Sequence, residues 1–185
     1  MVNLIIKVIS IVVFMLPPTF LEAEASDQTY TIGFGSCITE KREQPIWKAI
    51  KEENIDEFFF MGDNVYGDSD DGLLIEMKES YKKQKNMFPD WVFSKKLNAI
   101  WDDHDYGKND GGFEYPLKQE AQAMFLEFWN VAKDDPRHLR EGIYFSEEKE
   151  IFGRTINIIA LDTRYHRSFL DPVSYTHLTL PTSIQ

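Results

Sequence analysis

FFFMGDNVYGD, residues 58 to 68, is an apolar run of strand length that stops abruptly at Gly62-Asp63. A carboxylate directly after a buried strand lies where open α/β sheets hold their ligands, just past the carboxyl end. Tyr66 follows on the same turn. A carboxylate and a phenol are both oxygen donors that ionise beside a cation, a pair suited to a hard trivalent metal. The same residues also suit a plain turn with Tyr66 packed against it, so the flanking segments must decide.

Upstream, Gln28 to Phe34 alternates Tyr30, Ile32 and Phe34 in the manner of a strand, and Gly35-Ser36-Cys37 turns off its end. Pro45 suits the first turn of a short helix carrying Ile46, Trp47 and Ile50. Strand, helix and strand over this length make a βαβ unit, whose strands run parallel and end on one edge. Cys37 and Asp63 are therefore expected to be neighbours in space.

Downstream, Leu73 to Asn86 has a helical pattern with Leu74, Met77 and Tyr81 on one face and lysines near its end. The loop from Asp68 to Gly72 has its glycine one place too early for an EF-hand and is expected to be a solvated turn. Asn98 to Trp101 is a short apolar piece running into Asp102-Asp103-His104-Asp105. Four ionisable residues in succession are expected to face water or cations. Leu117 to Trp129 reads as an amphipathic core helix, and Ile143 to Phe145 and Arg154 to Leu161 as two further strands parted by a turn near Gly153. The second ends in Asp162. An α/β fold then carries Cys37, Asp63 with Tyr66, Asp103 with His104, and Asp162 after separate strands, which points to a polar, metal-binding edge.

The 185-residue chain has a formal net charge of -11. That balance disfavours nucleic acid and anionic membranes as partners, and an anionic substrate would need bound cations to meet it. Lys7 precedes an apolar run, Val8 to Leu16, too short to span a bilayer, and Ala23-Glu24-Ala25 offers small residues to a signal peptidase. Residues 1–25 are expected to be a cleaved signal peptide, which implies export to the periplasm or the medium without a stable membrane anchor. Cys37 is the single cysteine, so no disulfide forms within the chain. In an oxidising compartment such a thiol is either buried or held, for example by a metal.

Four blocks, GSC at Gly35 to Cys37, GDNVYGD at Gly62 to Asp68, WDDHDYGKND at Trp101 to Asp110 and LDTR at Leu161 to Arg164, resemble the alkaline phosphatase D-type branch of the calcineurin-like metallophosphatases. The resemblance runs from Tyr30 to about Leu170. It implies the amino-terminal part of a four-layer α/β/β/α sandwich over residues 26–172, with a multinuclear site of Fe3+ and Ca2+ or other divalent metals. It further implies Cys37, Asp63, Tyr66 and Asp103 as metal ligands and His104 as the catalytic residue over the substrate phosphate. Arg164 is a weaker candidate for binding phosphate, and pairing with Asp162 to pin its loop accounts for it equally well. The implied activity is hydrolysis of small phosphomonoesters or phosphodiesters by a metal-activated water.

The later blocks of that family have no counterpart before the chain stops. Val173 to Thr182 reads as a translated sequencing adapter, so residues 173–185 are expected to be read-through and the fragment itself inactive, with an apolar strand edge left uncovered. A secreted acidic protein that binds calcium without catalysis is the competing expectation, using the Asp68 to Asp71 and Asp102 to Asp105 carboxylates. Cys37 and Tyr66 separate the two, because a calcium site prefers hard oxygen ligands and has no use for a thiolate.

Overall fold

The computed structural model describes residues 28–169. The expectations for the leader, for Leu170 to Pro172 and for the tail lie outside those residues. Among the described residues no helix is long and apolar enough to cross a membrane.

Strands β1 (Ile32–Gly35), β2 (Glu57–Met61) and β3 (Lys96–Ile100) form a parallel sheet with β2 in the middle. Helix α1 (Ile46–Glu52) makes the first crossover, and α2 (Ile75–Met87) with a 3-10 turn at Asp90–Ser94 makes the second. The expected βαβ unit is present. Successive strand residues point to opposite faces, so the Phe58-Phe59-Phe60 run buries β2 on both sides. Phe58 and Phe60 pack edge-on or tilted against Trp47 of α1, and Phe60 also meets Phe88 and Trp129. Phe59 faces the other way, between Phe34 of β1 and Phe145.

Past β3 come a single helical turn, α3 (Asp103–Tyr106), and the core helix α4 (Lys118–Phe128), which buries Ala121, Gln122, Phe125 and Leu126. A 3-10 turn at Pro136–His138 leads to β4 (Phe145–Ile151) and β5 (Arg154–Ala160), an antiparallel hairpin. Its two-residue turn, Phe152-Gly153, has positive φ at both positions, the geometry that matches strand twist. The hairpin lies over the Phe59 face of the sheet. Buried Glu57 accepts from the Tyr30 hydroxyl and the Asn98 amide and pairs with Lys149, while Lys96 pairs with Glu147. The molecule is thus a mixed α/β fold, with helices on one face of a parallel sheet and an antiparallel hairpin on the other.

Four details differ from expectation. The first strand, expected from Gln28 to Phe34, begins only at Ile32, and Phe34 is exposed. β4 begins at Phe145 and continues through the polar run Ser146 to Ile151, because alternate residues lean inward and their charges find partners across the sheets. Ile143 is fully buried ahead of the strand. Ile46, expected on the inner face of α1, is 54% exposed, and Trp47 alone of that helix is buried. The expected apolar edge is real among the described residues: β5 pairs on one side only, with Ile159 and Leu161 exposed.

Candidate metal centre

All three parallel strands deliver their carboxyl ends to one edge, and the backbone there is shaped by a close approach. Gly62 has φ 103, and a Cβ on it would lie 2.7 Å from Asp102 Cβ and 2.8 Å from the Asp102 nitrogen. Only glycine lets the β2 turn pass the segment leaving β3. Cys37 and Asp63 follow at φ 59 and 52, left-handed values uncommon for residues with a side chain. The Cys37 and Ile38 N–H groups donate to the Gly62 and Asp63 carbonyls at 3.1 and 3.0 Å, locking the two turns together.

On this frame Asp63, Asp103 and His104 bring one potential ligand atom each to within 4.8 Å of one another. Cys37 Sγ lies 3.7 Å from Asp63 Oδ2, and the Tyr66 hydroxyl donates to the same oxygen at 3.4 Å. The five ligand and catalytic candidates, Cys37, Asp63, Tyr66, Asp103 and His104, therefore meet around one carboxylate. Cys37 is exposed, which removes the reading of a buried, inert thiol.

His104 stacks near Tyr66, with ring centroids 4.3 Å apart, and its Nδ1 lies 2.8 Å from Asp68 Oδ1. Asp68, expected in a solvated turn, belongs to the site because the loop after Tyr66 folds back over α3. The rest of that loop is the turn expected: Asp71 accepts from the Ser69 hydroxyl and the Leu73 N–H.

The electrostatics are those of a site with surplus negative charge. Burial raises the Asp63 pKa, and Asp103 and Asp102 add to it against the lowering effect of His104. The Tyr66 phenol is pushed up by burial, then by Asp63 and Cys37. Burial works to lower His104, but the hydrogen bond and charge of Asp68, with Asp63 and Asp103 behind, raise it. Asp103 goes down despite burial, because the Asp110 N–H and the Arg164 guanidinium favour its anion. A bound cation would relieve the excess and favour the ionised carboxylates and phenolate.

Three further residues, Asp105, Asn64 and Glu40, build the frame. Asp105, expected with its run to face water or a cation, is instead fully buried. It accepts from the backbone N–H groups of Asp63, Asn64 and Asp102, at 3.2, 3.2 and 2.7 Å, and from the Asn64 amide at 2.5 Å. Burial still raises its pKa, to about 8, against those donors. Asn64 also donates to the Ile100 carbonyl at 2.8 Å, tying the ends of β2 and β3. Glu40, 6% exposed, accepts from the Tyr66 N–H at 3.0 Å and sets that residue's backbone. A capping-box spacing, Asp102 to Asp105, was the one sequence signal available.

The LDTR block serves this site from outside it. Asp162 is no strand-end ligand: Oδ1 accepts from Trp101 Nε1 and from the Arg164 and Tyr165 N–H groups, each at 2.9 Å, and Oδ2 from the Ile143 N–H at 2.8 Å. The Arg164 guanidinium does not pair with Asp162. Its Nε donates to Asp102 Oδ1 at 2.5 Å, and Nη2 lies 3.6 Å from Asp103 Oδ1. Comparison of the chain with family models, curated proteins and solved structures found no match.

Proposed function

We propose that this chain carries the amino-terminal ligands of a metal-dependent phosphoesterase acting on small phosphomonoesters or phosphodiesters, and that its α/β layers are part of a four-layer α/β/β/α sandwich. The convergence of Asp63, Asp103 and His104 at the ends of parallel strands, with Cys37 and Tyr66 touching Asp63, is the observation that supports it. A thiol and a phenol beside carboxylates suit Fe3+ with a harder divalent partner such as Ca2+. Metal bound there would supply Lewis-acid activation of water and neutralise charge on the phosphoryl group.

The chain's own residues account for the rest. Asp68 holds His104 Nδ1, fixing the ring and leaving Nε2 to hold or give a proton at the leaving oxygen. Glu40 and the Asp63 turn fix Tyr66. In this reading residues 1–25 export the protein, nucleic acid is no partner, and a calcium protein without catalysis is disfavoured by the Cys37 contact to Asp63.

The test begins with Fe3+ added to the purified chain. A visible absorption band that Tyr66→Phe abolishes is expected; an unchanged spectrum removes Tyr66 from the ligand set. The product of the source gene, read without interruption past Pro172, is then assayed on a phosphomonoester and a phosphodiester. His104→Ala is expected to lower kcat by about 100- to 10,000-fold, and failure of the unaltered protein on both esters sinks the enzyme reading.

A further inference from the structure

The segment that leaves β3 toward the candidate metal centre is gripped, residue after residue, by a loop some 60 positions later in the chain. Trp101 Nε1 donates to Asp162, Asp102 accepts from Arg164 Nε, and Asp103 faces Arg164 Nη2. The loop making the grip is itself fixed, because Asp162 accepts from the N–H groups of Arg164 and Tyr165 and from that of Ile143. Arg164 has little freedom to do anything else: its side chain is 12% exposed and two of its three nitrogens face Asp102.

We propose that Arg164 is a positioning residue that orients the Asp103 carboxylate for metal, acting through an Asp102–Arg164–Asp103 clamp. The assignment rests on the metal-centre reading above. Asp103 Oδ2 accepts the Asp110 N–H at 2.9 Å, and Oδ1 is the oxygen that faces Arg164. Oδ2 is therefore held by a hydrogen bond and Oδ1 faces a fixed charge at ion-pair distance before a cation arrives. Partners of this kind, one bond removed from the metal, typically change affinity by about 10- to 100-fold when lost. Arginine suits the task because its planar fork addresses two carboxylates at once, where a lysine ammonium offers a single point of charge.

Charge and positioning act with opposite sign here, which makes the inference testable. A guanidinium beside a cation site repels the cation, so deleting a mere charge would tighten binding. Deleting a positioning group loosens it.

The experiment is a titration of the chain with Tb3+, a hard trivalent probe, followed by luminescence sensitised through Tyr66. Arg164→Ala is expected to raise the Tb3+ Kd by about 10- to 100-fold. Arg164→Lys, which keeps the charge and is the safer variant for folding, is expected to fall between it and the unaltered protein. Asp102→Asn still caps α3 but loses its charge, so it should weaken Tb3+ binding and add little on top of Arg164→Ala, as members of one network do. Melting temperatures of the metal-free variants, taken alongside, separate loss of fold from loss of affinity.

Tb3+ binding in Arg164→Lys and Arg164→Ala equal to or tighter than that of the unaltered chain overturns the assignment. So does an unchanged Tb3+ titration combined with weaker binding of inorganic phosphate to the metal-loaded protein, which would make Arg164 a phosphate contact. If the unaltered chain binds no Tb3+, the metal-centre reading falls and takes this inference with it; if it binds and the variants match it, only this inference fails.

Discussion

Strand β2 carries a partly buried cluster of charge at each end, and the two are built on opposite principles. At its start Glu57 and Glu147 face Lys149 and Lys96, with the Tyr30 hydroxyl and the Asn98 amide filling the remaining positions on Glu57. Negative and positive side chains balance, and the cluster joins the parallel sheet to the hairpin. At its end Asp63, Asp68, Asp102 and Asp103 gather, and among the described residues the positive partners they meet are His104 and Arg164. Such an imbalance works against fold stability wherever the carboxylates are buried. The first cluster is complete within the chain. The second is not balanced by side chains among the described residues, and the cation proposed above would complete it.

The largest expected effect breaks the balanced cluster. Lys149→Met leaves Glu57, fully buried, without its cation, and is expected to cost about 3–5 kcal/mol in chemical denaturation. Asp103→Asn removes one of several surplus charges at the other end and is expected to leave the metal-free protein far less affected. A loss of similar size in both variants would erase the distinction between the clusters.

Next in size is the response to metal. A trivalent ion at about 100 times its Kd should stabilise the unaltered protein by about 2.7 kcal/mol through linkage. Asp63→Asn should abolish that gain in a thermal-shift titration, while Lys149→Met should retain it provided the variant folds.

Gly62 and Gly153 sharpen the contrast at the level of backbone. Both have positive φ, but a Cβ on Gly62 would strike the Asp102 backbone, whereas Gly153 in the hairpin turn has nothing within 4 Å. Gly153→Ala is expected to cost about 1 kcal/mol, the penalty of a left-handed alanine. Gly62→Ala should cost more, about 1–3 kcal/mol, and should also weaken metal binding because the Asp63 turn must move.

The smallest effect is a difference of sign with pH between two partly solvated pairs, each worth a fraction of a kcal/mol. The raised His104 pKa means that its pairing with Asp68 contributes fully below about pH 6.5 and is lost as pH rises through the folded value. Burial works to raise Glu147, but Lys96 and Lys149 lower it overall, so its contribution is present above about pH 4.5 and lost as pH falls through the folded value. Difference curves of stability against pH, for His104→Gln and for Glu147→Gln relative to the unaltered metal-free protein, should therefore slope in opposite limbs. Coincident limbs would show that the two pairs do not govern these transitions.

Much of this arrangement is legible in the sequence. The alternation and length of the apolar runs, with the parallel polarity of a βαβ unit, were enough to place Cys37 beside Asp63, because strand direction and crossover geometry are local rules. Met77 and Tyr81 of α2, with Leu74 at its N-cap, are buried as the helical period requires. Less of the polar structure was legible. SEEKEI gives no apolar pattern, and its role as β4 depends on Lys149 meeting Glu57 from a distant part of the chain.

The sequence by itself determined the β1–α1–β2 unit and the edge on which Cys37, Asp63, Tyr66, Asp103 and His104 gather. Tertiary structure decided what each carboxylate does there: Asp63 and Asp103 open toward one another and His104, Asp68 orients the ring, Asp105 is consumed by backbone donors, and Asp162 and Arg164 grip the segment from outside. The physical reason is one of range. Strand pairing follows from periodicity over a few residues, whereas the partner of a single carboxylate depends on left-handed turns at Cys37 and Asp63 and on loops closing across dozens of residues, which no local pattern encodes.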